Sequence, residues 1–77
     1  MKEKEKIENY RKAVLTKIIK LRNQQGLSQM DLADLIDIGY TGYFKVETGK
    51  TKLDTFRLFQ ILEKLDISPK EFFKDFK

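Results

Sequence analysis

The sequence predicts an all-α domain of five short helices, on three observations. Apolar residues recur at helical spacing in five segments, and nowhere alternate as in a half-buried strand. Ser28, Asp54 and Ser68 each stand just ahead of such a segment, where a side-chain oxygen caps free amides. Loops of about two to five residues join the segments, so successive helices must pack as neighbours.

Helix one is expected over about residues 10–25, with Val14, Leu15, Ile18, Leu21 and Gln25 on one stripe and Gly26 closing it. Residues 1–9 form a charged lead-in that either extends this helix through Glu/Lys pairs or frays; residues 10–77 are read as a single domain. Helix two, about 29–36, opens on Ser28 with Asp31 three residues on, a carboxylate form of the capping box. It turns Leu32, Ala33 and Ile36 inward, and Ala33 is small enough for a crossing helix to come close. Helix three, about 40–48, turns Tyr43 and Val46 inward and ends at Gly49, the residue type best suited to a left-handed cap. After the polar, basic stretch 49–53, Asp54 caps helix four, about 55–65, with Phe56, Leu58, Phe59, Leu62 and Leu65 expected inward. Ser68-Pro69-Lys70-Glu71 is the strongest helix start in the chain and opens helix five, about 69–76, which carries Phe72, Phe73 and Phe76.

Composition excludes more than it selects. With no cysteine and no histidine among the 77 residues, disulfides, thiolate or imidazole metal sites and Ser-His or Cys-His nucleophiles are ruled out. A chain this short must fold on packing alone, and six Phe and three Tyr supply much of the apolar area. No apolar run approaches the ~18 residues of a membrane span, and the start is too charged for a signal peptide, so a soluble, cytoplasmic protein is expected. No cofactor, metal or small-molecule ligand is expected. Net charge is +4, and it is unevenly spread: residues 1–26 hold eight Lys/Arg against three Glu, residues 27–38 three Asp and no base. A basic excess of this size favours a polyanionic partner without proving one. The geometry says more: two short helices joined by about three residues form the unit that inserts its second helix into a DNA major groove.

Ser28-Gln29, Leu32-Ala33, Ile38, Val46-Glu47-Thr48-Gly49 and Leu65-Asp66-Ile67-Ser68 together resemble the lambda-repressor-like (xenobiotic-response-element) helix-turn-helix family over about residues 15–73. The resemblance implies a compact five-helix fold and a DNA-binding transcriptional regulator, usually a homodimer. It implies that Ser28 and Gln29 sit at a phosphate, Gln29 also bracing helix three, and that Arg22 pairs with Glu47 as a structural tie. There are departures. Asp37 stands where the family usually has Gly, at small cost because Asp tolerates left-handed angles. Gly42 lies inside the recognition helix, and Leu53 replaces a frequent Pro.

The spacing of Tyr40, Thr41, Phe44 and Lys45 places them on one face of helix three, opposite Tyr43 and Val46, as candidates for DNA contact. Lys50 and Lys52 suit backbone neutralisation. Phe72, Phe73 and Phe76 are too many large rings for one short helix to cover, and are expected to form part of a self-complementary dimer patch. The expected function is a sequence-specific regulator binding double-stranded DNA as a homodimer at a roughly palindromic operator, of phage-repressor, restriction–modification-controller or antitoxin type. The rival from another class is a protein-interaction adaptor using the same fold; an enzyme is a distant third, since no catalytic constellation exists.

Overall fold

The computed structural model describes residues 2–76. Five helices follow in order, α1 (Lys2–Gln24), α2 (Gln29–Leu35), α3 (Tyr40–Glu47), α4 (Thr55–Lys64) and α5 (Pro69–Phe73), with no strand among the described residues. The fold is therefore all-α.

The ends of the helices explain the short loops. Ser28, Asp54 and Ser68 each accept from the amide three residues on, and at α2 the Asp31 carboxylate returns a bond to the Ser28 amide at 2.8 Å, completing the capping box. That bond, from the Ser28 backbone first, holds the Asp31 carboxyl below its ordinary range. The first four helices all close with one motif: a left-handed residue (Gly26, Asp37, Gly49 or Asp66), with two amides reaching back to carbonyls of the last turn. For α2 these are Asp37 N–H to Asp34 at 3.1 Å and Ile38 N–H to Ala33 at 3.0 Å. After three of the four left-handed residues comes an apolar side chain, Leu27, Ile38 or Ile67, which packs onto the core.

That core joins Ile18 of α1, Leu32, Ala33 and Ile36 around α2, Tyr43 and Val46 of α3, Ile61, Leu62 and Leu65 around α4, and Phe72 of α5. Polar bonds lock the same junctions. Gln25 Nε2 donates to the Leu65 carbonyl at 2.7 Å, and Gln60 Nε2 to the Ile36 carbonyl at 3.3 Å.

Of the two alternatives for the charged lead-in the structure takes the extension: α1 runs from Lys2, its charged first half carried by acids in the first turn and a Glu8–Arg11 pair at 3.1 Å. Two expectations need correction. In α4, Phe56 and Phe59 point outward, and Ile61, passed over in the sequence, is fully buried. Leu58, Ile61, Leu62 and Leu65 make the narrower stripe at i, i+3, i+4 and i+7, which places Phe56 on the far side and Phe59 on the flank. Helix α5 stops at Phe73 rather than Phe76. Lys17 Nζ of α1 caps it, donating to the Phe72 carbonyl at 2.5 Å and to Asp75 at 2.7 Å, while sitting over the rings of Phe72 and Phe76.

Aspartate in a left-handed conformation carries strain that glycine lacks. Asp37→Gly and Asp66→Gly are each expected to raise unfolding free energy by about 0.5–1 kcal/mol. Urea denaturation checks this; a loss of stability at both sites would contradict the reading.

Candidate nucleic-acid interface

Helices α2 and α3 meet through Asp37-Ile38-Gly39. Asp37 reverses the chain at φ 58°, Ile38 drops into the core, and Gly39 takes the extended N-cap position of α3. The helix then hangs from one side, with Tyr43, Val46 and Glu47 buried. At 100° per residue, Thr41, Lys45 and Thr48 occupy the opposite side and are exposed. Tyr40 and Phe44 line the flank towards α2, their ring centroids 6.2 Å apart. Gly42 lies on the other flank, where a Cβ would meet nothing within 4 Å.

What fixes α3 is a carboxylate. Glu47 Oε2 accepts from Arg22 Nε at 2.7 Å and from the Tyr43 hydroxyl at 2.5 Å. Its Oε1 accepts from Arg22 Nη2 at 3.2 Å and from Gln29 Nε2 at 2.9 Å. The side chains of Arg22 and Glu47 are only 9% and 3% exposed. Arg22 Nη1 reaches on to the Leu27 carbonyl at 2.8 Å, and Tyr40 donates to Gln29 Oε1 at 3.1 Å. One anion thus ties α1, the start of α2 and both ends of α3. Among the described residues no buried side-chain polar atom lacks a partner.

The protonation states follow from this arrangement. Burial pushes the Glu47 carboxyl up, but bonds from Arg22, Tyr43 and Gln29 outweigh it and hold the group below its ordinary value. For Tyr43, burial and then the Glu47 carboxylate both push the phenol far up, so it remains a donor. The hydrogen bond to Glu47 raises the Arg22 guanidinium further.

A second tie holds the far end of α3. Arg11 Nη2 of α1 donates to the Gly49 carbonyl. A Cβ at Gly49, where φ is +78°, would lie 3.4 Å from both terminal nitrogens of Arg11 and 3.5 Å from Leu15 Cδ1. Those are ordinary contact distances, so it is the left-handed turn that calls for glycine here.

Of the residues singled out in the sequence, Ser28 is exposed and accepts from the Asp31 amide at 3.0 Å, and Gln29 is half-buried within the Glu47 network. Tyr40 is 45% and Phe44 38% exposed. Thr41, Lys45, Lys50 and Lys52 are exposed, and no ion pair among the described residues engages the three lysines. Arg22 and Glu47 are brought together as given above. Phe72 is fully buried in the protomer core and is unavailable to a second copy, a correction to its place in a dimer patch; Phe76 is half-buried against it, and Phe73 stays partly exposed.

Sequence reasoning missed Thr48, one turn after Lys45 on the outer side, and Met30, 57% exposed beside Gln29. It also missed Arg57, which bonds Gln60 at 2.7 Å and lines a concavity shared with Gly42, Thr51 and Lys52. Thr48 was legible from helical phase; Arg57 was not, because only the packing of α4 brings it beside α3.

The helix-turn-helix family matches residues 18–72, which includes every element from the middle of α1 to α5. The chain belongs to the lambda-repressor-like branch of that family. It is a DNA-binding helix-turn-helix domain of the regulator type. No curated protein and no solved structure matches it significantly. Among the described residues no helix is long and apolar enough to cross a membrane, and no cluster of acidic side chains is suited to a metal ion.

The lowered Glu47 value contributes to the acid response of this domain. Since its folded value lies below the unfolded one, its stabilising contribution is complete above about pH 5 and is lost as pH falls through the folded value. Asp31 and Asp75, also lowered, act in the same direction. Urea midpoints measured between pH 7 and pH 3 are expected to fall steadily below pH 5; midpoints that hold or rise would contradict it.

Proposed function

We propose that the chain is a sequence-specific, double-stranded DNA-binding transcriptional regulator acting as a homodimer on a roughly palindromic site. The observation that carries this reading is the division of α3: one side anchored through Tyr43, Val46 and Glu47, the other presenting Thr41, Lys45 and Thr48 without cover. A short helix held proud of a rigid body suits a major groove about 12 Å wide. Lys45 donates to a guanine edge or a phosphate, and Thr41 to a base or phosphate. Tyr40 and Phe44 pack along sugars or thymine methyls from their flank.

The phosphate contacts lie around this helix. Gln29 keeps one amide N–H beyond the bond to Glu47, and Ser28 keeps its hydroxyl proton; both suit a backbone phosphate at the start of α2. Lys50 and Lys52 neutralise the backbone past the other end of α3. Gly42, with no atom near its absent Cβ, leaves room for the DNA backbone on the Arg57 side. Two copies place their α3 helices in successive major grooves, about 34 Å apart.

Anisotropy with a random duplex at ~50 mM salt is expected to give binding that weakens linearly in log salt. Lys45→Ala and Lys50→Ala should each lower affinity about tenfold and reduce the salt slope by about one where a phosphate contact is lost. Selection from a random duplex pool should return two half-sites related by symmetry. Failure to bind any duplex at low salt would overturn the reading in favour of a protein-binding adaptor.

Gly42→Ala separates fold from function in the same assay. Relief of a mid-helix glycine is expected to stabilise the domain by about 1 kcal/mol. Duplex affinity is expected to drop at least fivefold if DNA backbone occupies that flank; unchanged affinity would remove Gly42 from the interface.

A further inference from the structure

The outer face of α4 carries two exposed aromatic rings. Phe56, opposite the core stripe, is 74% exposed, and Phe59, one turn on at its flank, 50%. Just past them, the carboxyl end of α4 and the segment leading into α5 enclose an open concavity of about 380 Å³, with walls that include Phe59, Leu62, Glu63, Ile67 and Pro69.

We propose that this face binds a second copy of the chain. The two α4 helices run antiparallel across a two-fold axis at Phe59, and each Phe56 seats in the other protomer's concavity. The inference rests on the homodimer proposed above and assigns its surface.

Self-complementarity is the first argument. A two-fold interface must carry a projection and a recess on one face, on opposite sides of the axis and equally far from it. At 100° per residue Phe56 lies about 60° to one side of Phe59 and about one turn before it, and Glu63, a wall of the recess, lies about 40° to the same side and about one turn after it. Reversal about Phe59 therefore carries the ring of each copy against the Glu63 wall of the other's recess.

Area is the second. A fully buried phenylalanine removes roughly 150–250 Å² from water, so at their exposures the four rings supply about 400–600 Å². That is about a third of the ~1,600 Å² of a specific interface, and enough for its apolar centre. Polarity is the third. Antiparallel helices set the positive amino end of each α4 against the partner's carboxyl end, where Glu63 and Asp66 border the recess. Asp54, the acid at the amino end, is occupied with the Arg57 amide at 2.8 Å. Thr41, Lys45 and Thr48 line no part of the recess, so the DNA-facing side of α3 stays open.

The absence of cysteine makes the test clean, because one substitution introduces the sole thiol. Phe59→Cys, at the axis, is expected to convert to a disulfide-linked dimer under mild oxidation, the geometry requiring Cα atoms about 4.4–6.8 Å apart. Ile7→Cys, on the exposed start of α1, is expected to remain unlinked. Phe56→Ala is expected to weaken dimerisation at least 100-fold in sedimentation equilibrium, with circular dichroism unchanged, and with melting temperature unchanged at concentrations where the natural chain is monomeric, because the ring is exposed in the protomer. If Phe56→Ala dimerises like the natural chain, or Ile7→Cys links and Phe59→Cys does not, the assignment is overturned while the homodimer stands. If the natural chain is monomeric at every concentration, both free and on duplex DNA, the homodimer itself fails and the assignment with it.

Discussion

The carboxylate of Glu47 is the constraint on which the rest of the domain depends. It is an anion in a buried setting, and such a group persists only when its charge and lone pairs are met. Here four donors meet it, from Arg22 on α1, Gln29 at the start of α2 and Tyr43 on α3 itself. Apolar packing of Tyr43 and Val46 draws α3 to the core. The directional bonds to Glu47 add to that constraint on its rotation, and the orientation of Thr41, Lys45 and Thr48 follows from both. Gln29 extends the effect through Tyr40 to the first residue of the helix, so both ends answer to one charge.

Cations of α1 perform related work elsewhere. Arg11 binds the Gly49 carbonyl at the end of α3, and Lys17 binds the Phe72 carbonyl at the end of α5. Both stand where a helix leaves unpaired carbonyls and a partial negative charge. The positive excess of residues 1–26 is thus partly consumed inside the protomer. A charge tally that treats every Lys and Arg of that segment as a candidate for a polyanion overstates what is free to meet one.

Much of the fold was legible because its signals are local. Ser28 with Asp31, Asp54, and Ser68-Pro69 state where helices begin, and Gly26 and Gly49 where they end. The pair Gly26-Leu27-Ser28 and Asp66-Ile67-Ser68 even repeats one device: a left-handed residue, an apolar anchor, then the next cap. Phase was less legible. Phe56 and Phe59 are more apolar by type than by placement, and a rule that sends large rings inward misreads α4, where Ile61 is the buried residue. Distant ties were not legible at all: nothing near Arg11 or Lys17 in sequence announces a carbonyl 38 or 55 residues away. Of the interface, helical spacing located the outer side of α3. Arg57 and the two exposed rings of α4 could be found only once the helices were packed.

The central claim is that Glu47 and Arg22 act as one unit, and a double-mutant cycle measures this most directly. Arg22→Met, Glu47→Gln and the double variant would be unfolded in urea at pH 7, beside the natural chain. The account predicts single losses of about 3–5 kcal/mol, because each strands a buried charge or polar partner. The double variant should lose at least 2 kcal/mol less than their sum. Losses that add to within about 0.5 kcal/mol would show two independent residues and contradict it.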